Sequence, residues 1–420
     1  MTATKVGGVG YRSVFANREF RALWLADGQS SLGDQLSRVA LSVLVYNRSG
    51  SALLTALVYA VTFLPALLGG VLLGGVADRF PHRTVLVVCN LARAALVASM
   101  AFTGMPIAVL VALVFLSTAA AAPFDSANSA MLAVIFEGEQ YEIASSVRTI
   151  THQLAQVLGF AVGGLALTTL TPRVGLVADA VTFVIAAVVV RSAVRLRPAA
   201  RIHDDAEPYL RSIAEGVQAI RITPRLRVLL GLAWLMGLLV IPEGLAVPYA
   251  ATLHASTVGV GLLLAAGPAG TAIGSLLYVK LMSDEQRTRA IGVLATVAGL
   301  PLAACVVHPT LAVSVVLWAL SGAAGAYLTQ LMPQYVRAAP IARRGQAIGI
   351  AASGLMAVQG IGILLGGVLA AQTDAALAVA VAGASASALA GVAALRWRRL
   401  LAGESHVPVV VAAEPVTALA

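Results

Sequence analysis

Apolar runs of about 20 residues recur from Phe20 to the neighbourhood of Leu395 with only short polar gaps between them, and a helix of that length crosses the hydrocarbon core of a bilayer. This feature constrains the chain most, because lipid offers backbone groups no hydrogen bonds and admits only helices or closed barrels. Charged residues make up 11% of the chain and hydrophobic residues 59%, with a mean hydropathy of +0.89, whereas soluble domains carry about 25% charged residues. A water-soluble fold cannot hide that much apolar surface. The expected fold class is therefore an all-α membrane protein.

Windows bounded by charge, Gly and Pro place spans at 21–46, 52–77, 84–103, 106–125, 144–170 and 174–191, then at 227–251, 257–281, 289–307, 310–330, 346–371 and 374–395. That makes about twelve transmembrane helices in two sets of six. The first span lacks a small-residue cleavage signature, so an uncleaved helix is expected rather than a signal peptide. The long polar connection from Arg191 to Arg227 divides the sets. The expected organisation is a bundle over 1–195, a linker over 196–226, a second bundle over 227–400 and a disordered tail over 401–420. Within the linker, Tyr209 to Ile220 has helical periodicity. It either lies along the membrane surface or merely tethers the halves.

The net charge of +9 would suggest nucleic acid in a soluble protein, but the basic residues fall in the gaps, where they report topology. Lys5, Arg12, Arg18 and Arg21, then Arg79 and Arg83, the linker arginines, Lys280, Arg287, Arg289, Arg337, Arg343, Arg344, Arg396, Arg398 and Arg399 all collect on one side. The opposite side keeps Arg48 and Arg173. The positive-inside rule then makes both termini cytoplasmic, and no nucleic-acid partner is expected. Cys89 and Cys305 lie in apolar runs far apart, where packed thiols are expected and neither a disulfide nor a metal site is implied.

The halves also repeat. A shift of 203 residues places Pro65 on Pro268, Pro106 on Pro309, Gln156 on Gln359, Gly159 on Gly362, and Gly163 and Gly164 on Gly366 and Gly367. One ungapped offset that catches landmarks in three spans indicates a duplicated six-helix unit in parallel repeat.

The turn after the second span reads Gly74-Gly75-Val76-Ala77-Asp78-Arg79-Phe80-Pro81-His82-Arg83. It resembles the G-x-x-x-D-R-x-x-x-R signature of the major facilitator superfamily, and the six-plus-six split and the repeat extend that likeness over nearly the whole chain. Gln29 to Asp34, Arg38 and the Leu91 to Ala94 stretch resemble the branch of macrolide-efflux and enterobactin exporters. The resemblance implies a cytoplasmic gate built from Gly74, Asp78, Arg79 and Arg83; the alternative is a positive-inside anchor with no gating role. In the second half, Ser283 to Arg289 keeps charges but not the signature, which implies an asymmetric gate. Gln156 to Gly164 occupies the place of the family's antiporter motif, but Phe160 stands where that motif has proline. The small-residue face of Gly159, Gly163, Gly164, Gly362, Gly366 and Gly367 therefore supports close helix packing better than it supports antiport.

Charges inside the membrane are costly and by default functional. Asp34 lies near the middle of the first span with Arg38 one turn further along. Burial alone favours a neutral carboxyl and pairing with Arg38 a charged one, so the two are either a proton-coupling pair or a permanent structural ion pair. Glu243 follows Pro242, where the break frees backbone carbonyls, and is a further coupling candidate. Arg148 is expected to snorkel. His152 reads as a packed histidine or a proton relay, and Asp179 as a helix cap or a cavity residue. Trp24, Tyr46, Tyr249 and Trp397 fall near span ends, as interface anchors do. Tyr59, Phe63, Arg93, His152, Gln156, Asp179, Trp234, Tyr327 and Gln359 are the candidate substrate-cavity residues.

By resemblance, the chain is expected to export small amphipathic molecules such as drugs, natural products or siderophores in exchange for protons, as a monomer with no cofactor beyond the proton gradient. Uptake is the alternative transport direction. A receptor or scaffold would have no use for costly charges in hydrocarbon. An enzyme is not expected, since no nucleophile-base arrangement or metal cluster occupies a loop. The abundance of Arg over Lys and of Ala and Val suggests a bacterial source, and hence the plasma membrane.

Overall fold

The computed structural model describes residues 10–65, 79–198 and 209–404. Among these, nine helices are long and apolar enough to cross a membrane. Span three is His82–Met100, span four Ile107–Ile135, span six Pro172–Ala193 and span seven Pro224–Thr252. Spans eight to twelve are Thr257–Leu281, Asp284–Val307, Leu311–Ala338, Arg344–Gln372 and Ala375–Glu404. Span one, Arg18–Ser49, and span five, Gly138–Ala166, are equally long but richer in polar groups. Ala52–Val61 is the described start of span two. These complete a fold of about twelve helices in two repeats.

Local sequence sets the boundaries. The Asn17 side chain accepts from the amides of Glu19 and Phe20 to start span one, and Gly50 ends it with φ of 61°, a conformation that favours glycine. Ser51 caps span two, Thr171 with Pro172 opens span six, and Ser283 with Gln286 forms a capping box on span nine. Span seven is broken into Pro224–Trp234, Met236–Leu239 and Ile241–Thr252, with Pro242 at the second break. Span four runs ten residues beyond the boundary set at Asp125, and span twelve runs to Glu404.

On span five, Leu154, Leu158, Val162 and Leu165 recur at one-turn spacing and are each more than half exposed. Such a stripe fits lipid rather than water. Of the expected interface anchors, Trp397 and Tyr249 are instead fully buried, with Trp397 donating to the Thr288 carbonyl and Tyr249 bonding Ser314. Both polar tips find partners inside the bundle, which removes the reason for them to seek the interface.

The repeat reappears as packing. A Cβ on Gly159 would meet Gln35 of span one, and one on Gly362 would meet the backbone of Gly237 in span seven. Gly163 faces Leu36 and Val39, and Gly366 faces Ile241. Across the seam, Gly164 of span five meets Gly261 of span eight, while Gly367 of span eleven meets Leu53 and Ala56 of span two. Both seam crossings lie toward the arginine-poor end. Toward the arginine-rich end of span eleven, Gly345 and Gly349 have open space around them. The helix Tyr209–Ile222 packs on span eleven, where Gly216 meets Ile350 and Gln346.

Spans eight and ten form a seam of small residues in which Gly270 and Gly274 oppose the backbone of Ala319 and Ala323. Even a methyl group at Gly270 runs into the Ala319 carbonyl, which cannot swing aside. Gly270→Ala is expected to lower stability by about 1–3 kcal/mol, the usual cost of overpacking. A melting curve in detergent coinciding with wild type would show that the seam yields more easily than its geometry implies.

Candidate functional site

Four carboxylates and three basic groups converge inside the first six-helix unit. Span one carries Asp27 and Asp34 seven residues apart, so they share a face two turns from one another. Arg93 of span three donates to both carboxylate oxygens of Asp34 at 2.7 and 3.0 Å, and its guanidinium stacks over the Phe183 ring at 4.2 Å. Asp179 of span six is fully buried and accepts from Ser37 at 2.5 Å and Thr182 at 3.2 Å. Nearer the arginine-rich end, Asp27 Oδ2 lies 3.0 Å from both Arg148 Nε and His152 Nε2. His152 Nδ1 contacts Ser31 Oγ at 3.1 Å, and Arg148 also binds Asp125 of span four at 2.9 Å. All these groups except Arg148 line one cavity of about 320 Å³. Each charge has an ionic or hydrogen-bonded partner, as burial requires.

A second cavity of about 320 Å³ lies at the seam between the units. Phe63 comes from span two, Gln153 and Gln156 from span five, Glu243 from span seven, Trp318 from span ten and Gln359 from span eleven. Met236, Leu239, Leu263 and Met356 give it apolar walls. The Glu243 carboxylate accepts a hydrogen bond from Tyr59 across the seam at 2.8 Å. Gln359 Oε1 is buried with no partner among the described residues. Arg38 borders both cavities, 6.0 and 5.9 Å from the ring centroids of Tyr59 and Phe63, so cation–π attraction supports it beside the Glu243 carboxylate, which also attracts it. A polar floor with apolar and aromatic walls suits an amphipathic solute.

The expected partnership of Asp34 with Arg38 is corrected: Asp34 pairs with Arg93, while Arg38 turns toward Tyr59 and Phe63. Arg148 does not snorkel but bridges Asp27 and Asp125. Among the candidate cavity residues, Arg93, His152 and Asp179 line the first cavity, and Phe63, Gln156 and Gln359 the second. Tyr59, Trp234 and Tyr327 do not line either. Tyr59 is buried under Glu243, Trp234 packs on Gly354 and bonds the Ala351 carbonyl, and Tyr327 donates to the Leu232 carbonyl. Of the proposed gate, Gly74 and Asp78 lie outside the described residues, Arg79 is exposed, and Arg83 donates to the Arg191 carbonyl at 2.5 Å.

Asp27 and Asp125 went unnoticed in the sequence, although the seven-residue spacing from Asp27 to Asp34 was a usable signal. Asp125 coincides with the expected end of span four, whereas the helix continues to Ile135 and carries it into the cavity. Among the described residues no His, Cys, Asp or Glu cluster has the arrangement of a metal site.

A family profile described as Major Facilitator Superfamily matches residues 23–245 and again 244–418. The chain is 29% identical over 361 residues to the multidrug efflux pump Tap of Mycobacterium tuberculosis, covering 83% of this chain and 85% of that one. It is 26% identical over 182 residues to the uncharacterized transporter YkuC of Bacillus subtilis, covering 43% and 42% of the two chains. In three dimensions it resembles a bacterial homologue of the human lysosomal transporter Spinster, in an inward-facing and occupied conformation. The TM-score is 0.71 at 14% identity, over 95% of this chain and 98% of the other, which speaks to fold alone.

Proposed function

The chain belongs to the major facilitator superfamily of transporters, and we propose that it exports small amphipathic molecules in exchange for protons. The observation that carries this reading is the adjacency of two cavities, one lined by four carboxylates of which Asp27 and Asp179 are buried, and one of mixed apolar and amide lining, with Arg38 bordering both. A carboxylate that gains a proton loses its hold on its arginine, and the freed cation changes the charge facing the neighbouring cavity. Likeness to a multidrug efflux pump supports export and a loosely selective site. The arginine-rich face would be cytoplasmic and the bilayer the plasma membrane. The seam is closed by glycine contacts at the opposite end, so substrate would enter from the cytoplasm and leave when the two units rock.

Everted membrane vesicles with an acidic lumen test the direction and the coupling together. A panel of fluorescent cationic, neutral and anionic amphiphiles should show at least one compound concentrated in the lumen, with accumulation lost on adding a protonophore. Accumulation that survives the protonophore would overturn proton coupling. Accumulation only in right-side-out vesicles driven by an inward proton gradient would overturn export in favour of uptake.

A further inference from the structure

A third cavity lies away from both of these, on the outer surface of the second unit at the arginine-rich ends of spans seven and twelve. Its volume is about 650 Å³, and Arg227, Arg396 and Arg399 converge on it with no acidic residue in its lining among the described residues. All three arginines are exposed, and no described carboxylate lies within salt-bridge distance of them. The first turn of span seven also opens here at Pro224, and its preceding residue Thr223 makes no side-chain cap to the helix amides. Three guanidinium groups beside an uncapped helix start form a site for a phosphate-type anion.

The rest of the lining differs in kind. Leu389 and Val392 of span twelve are 55% and 54% exposed, and Gly231 of span seven leaves a notch where a Cβ would meet nothing within 4 Å. An apolar furrow therefore runs from the guanidinium groups toward the bilayer interior. An anion with no hydrocarbon would leave that furrow in contact with nothing suited to it, whereas a phospholipid places its phosphate among the arginines and an acyl chain along Leu389 and Val392. We propose that this furrow is a binding site for an anionic phospholipid. Charge complementarity selects the lipid class, because a zwitterionic headgroup carries its own cation toward three clustered guanidinium groups.

The purified full-length protein in detergent can be titrated with phosphatidylglycerol or with phosphatidylcholine of the same chain length, and bound lipid counted by native mass spectrometry. Wild type should retain phosphatidylglycerol roughly tenfold better than phosphatidylcholine, and the Arg227→Gln/Arg396→Gln/Arg399→Gln variant should lose that preference. Arg398→Gln, an exposed arginine at the same end that does not line the furrow, should keep it. If the triple variant is not monodisperse, Arg399→Gln alone should still give a graded loss. The proposal is overturned if the triple variant retains the preference, or if Arg398→Gln removes it equally. Displacement of the lipid by free glycerol phosphate at equal concentration would also overturn it, assigning the site to a soluble phosphate compound.

Discussion

Asp34→Asn is expected to abolish uphill accumulation of substrate, bringing the accumulation ratio to unity, while the protein still inserts and still binds substrate. The carboxylate is held by Arg93 through both oxygens in a cavity inside the first unit. Asparagine imitates the protonated acid permanently, so Arg93 is released in every state and the cycle loses the step at which a proton changes the pairing. Asp179 lies in the same cavity and accepts from the hydroxyls of Ser37 and Thr182. Arg93→Gln should accordingly impair coupling as well. Arg38→Ala, which faces the seam cavity, should act mainly on substrate affinity. Substrate flux and internal pH measured together in energised vesicles decide the matter. Should Asp34→Asn still export uphill and still release protons when substrate is added, the coupling role passes to another carboxylate, with Glu243 the next to replace.

The fold was legible because its signals are long and redundant. Span lengths, the charge asymmetry and the 203-residue offset each point to two six-helix units, and the offset even carries over the pairs Gly159 with Gly362 and Gly163 with Gly366 as matching helix contacts. The charged site was legible only as an inventory. Helical spacing says which residues share a face of one helix, and it favoured Arg38 as the partner of Asp34. The partner that wins comes from span three, and no local rule reaches across 59 residues to find it. The same reason explains Arg148, whose position near a helix end suggests snorkelling until Asp27 and Asp125 from two other spans are brought beside it. Tyr59 and Tyr327 looked like cavity aromatics because depth in the membrane does not reveal direction around the helix.

The remaining large effect concerns closure of the seam. At Gly164 an added Cβ would lie 2.6 Å from the Gly261 Cα and 2.7 Å from the Thr257 carbonyl, and a Cβ on Gly261 meets Gly164 and the Phe160 carbonyl in return. These are backbone atoms of two different units, so neither side can relax by turning a side chain. The related crossing at Gly367 is looser, since there the Cβ makes one close contact, 2.5 Å to the Ala56 Cβ, and reaches the Leu53 backbone only at 3.4 Å. Gly164→Val is therefore expected to destabilise the state closed at the arginine-poor end by roughly 1–3 kcal/mol, which shifts a two-state equilibrium by about five- to 150-fold. An alternating cycle must pass through that state, so transport should fall by a similar factor. Spin labels on Thr169→Cys and Ser256→Cys flank the crossing at exposed positions, and the native Cys89 and Cys305 are buried. Their distance distribution should lengthen in Gly164→Val, more than in Gly367→Val. A distribution and a transport rate both matching wild type would mean that the two units do not close on this glycine pair.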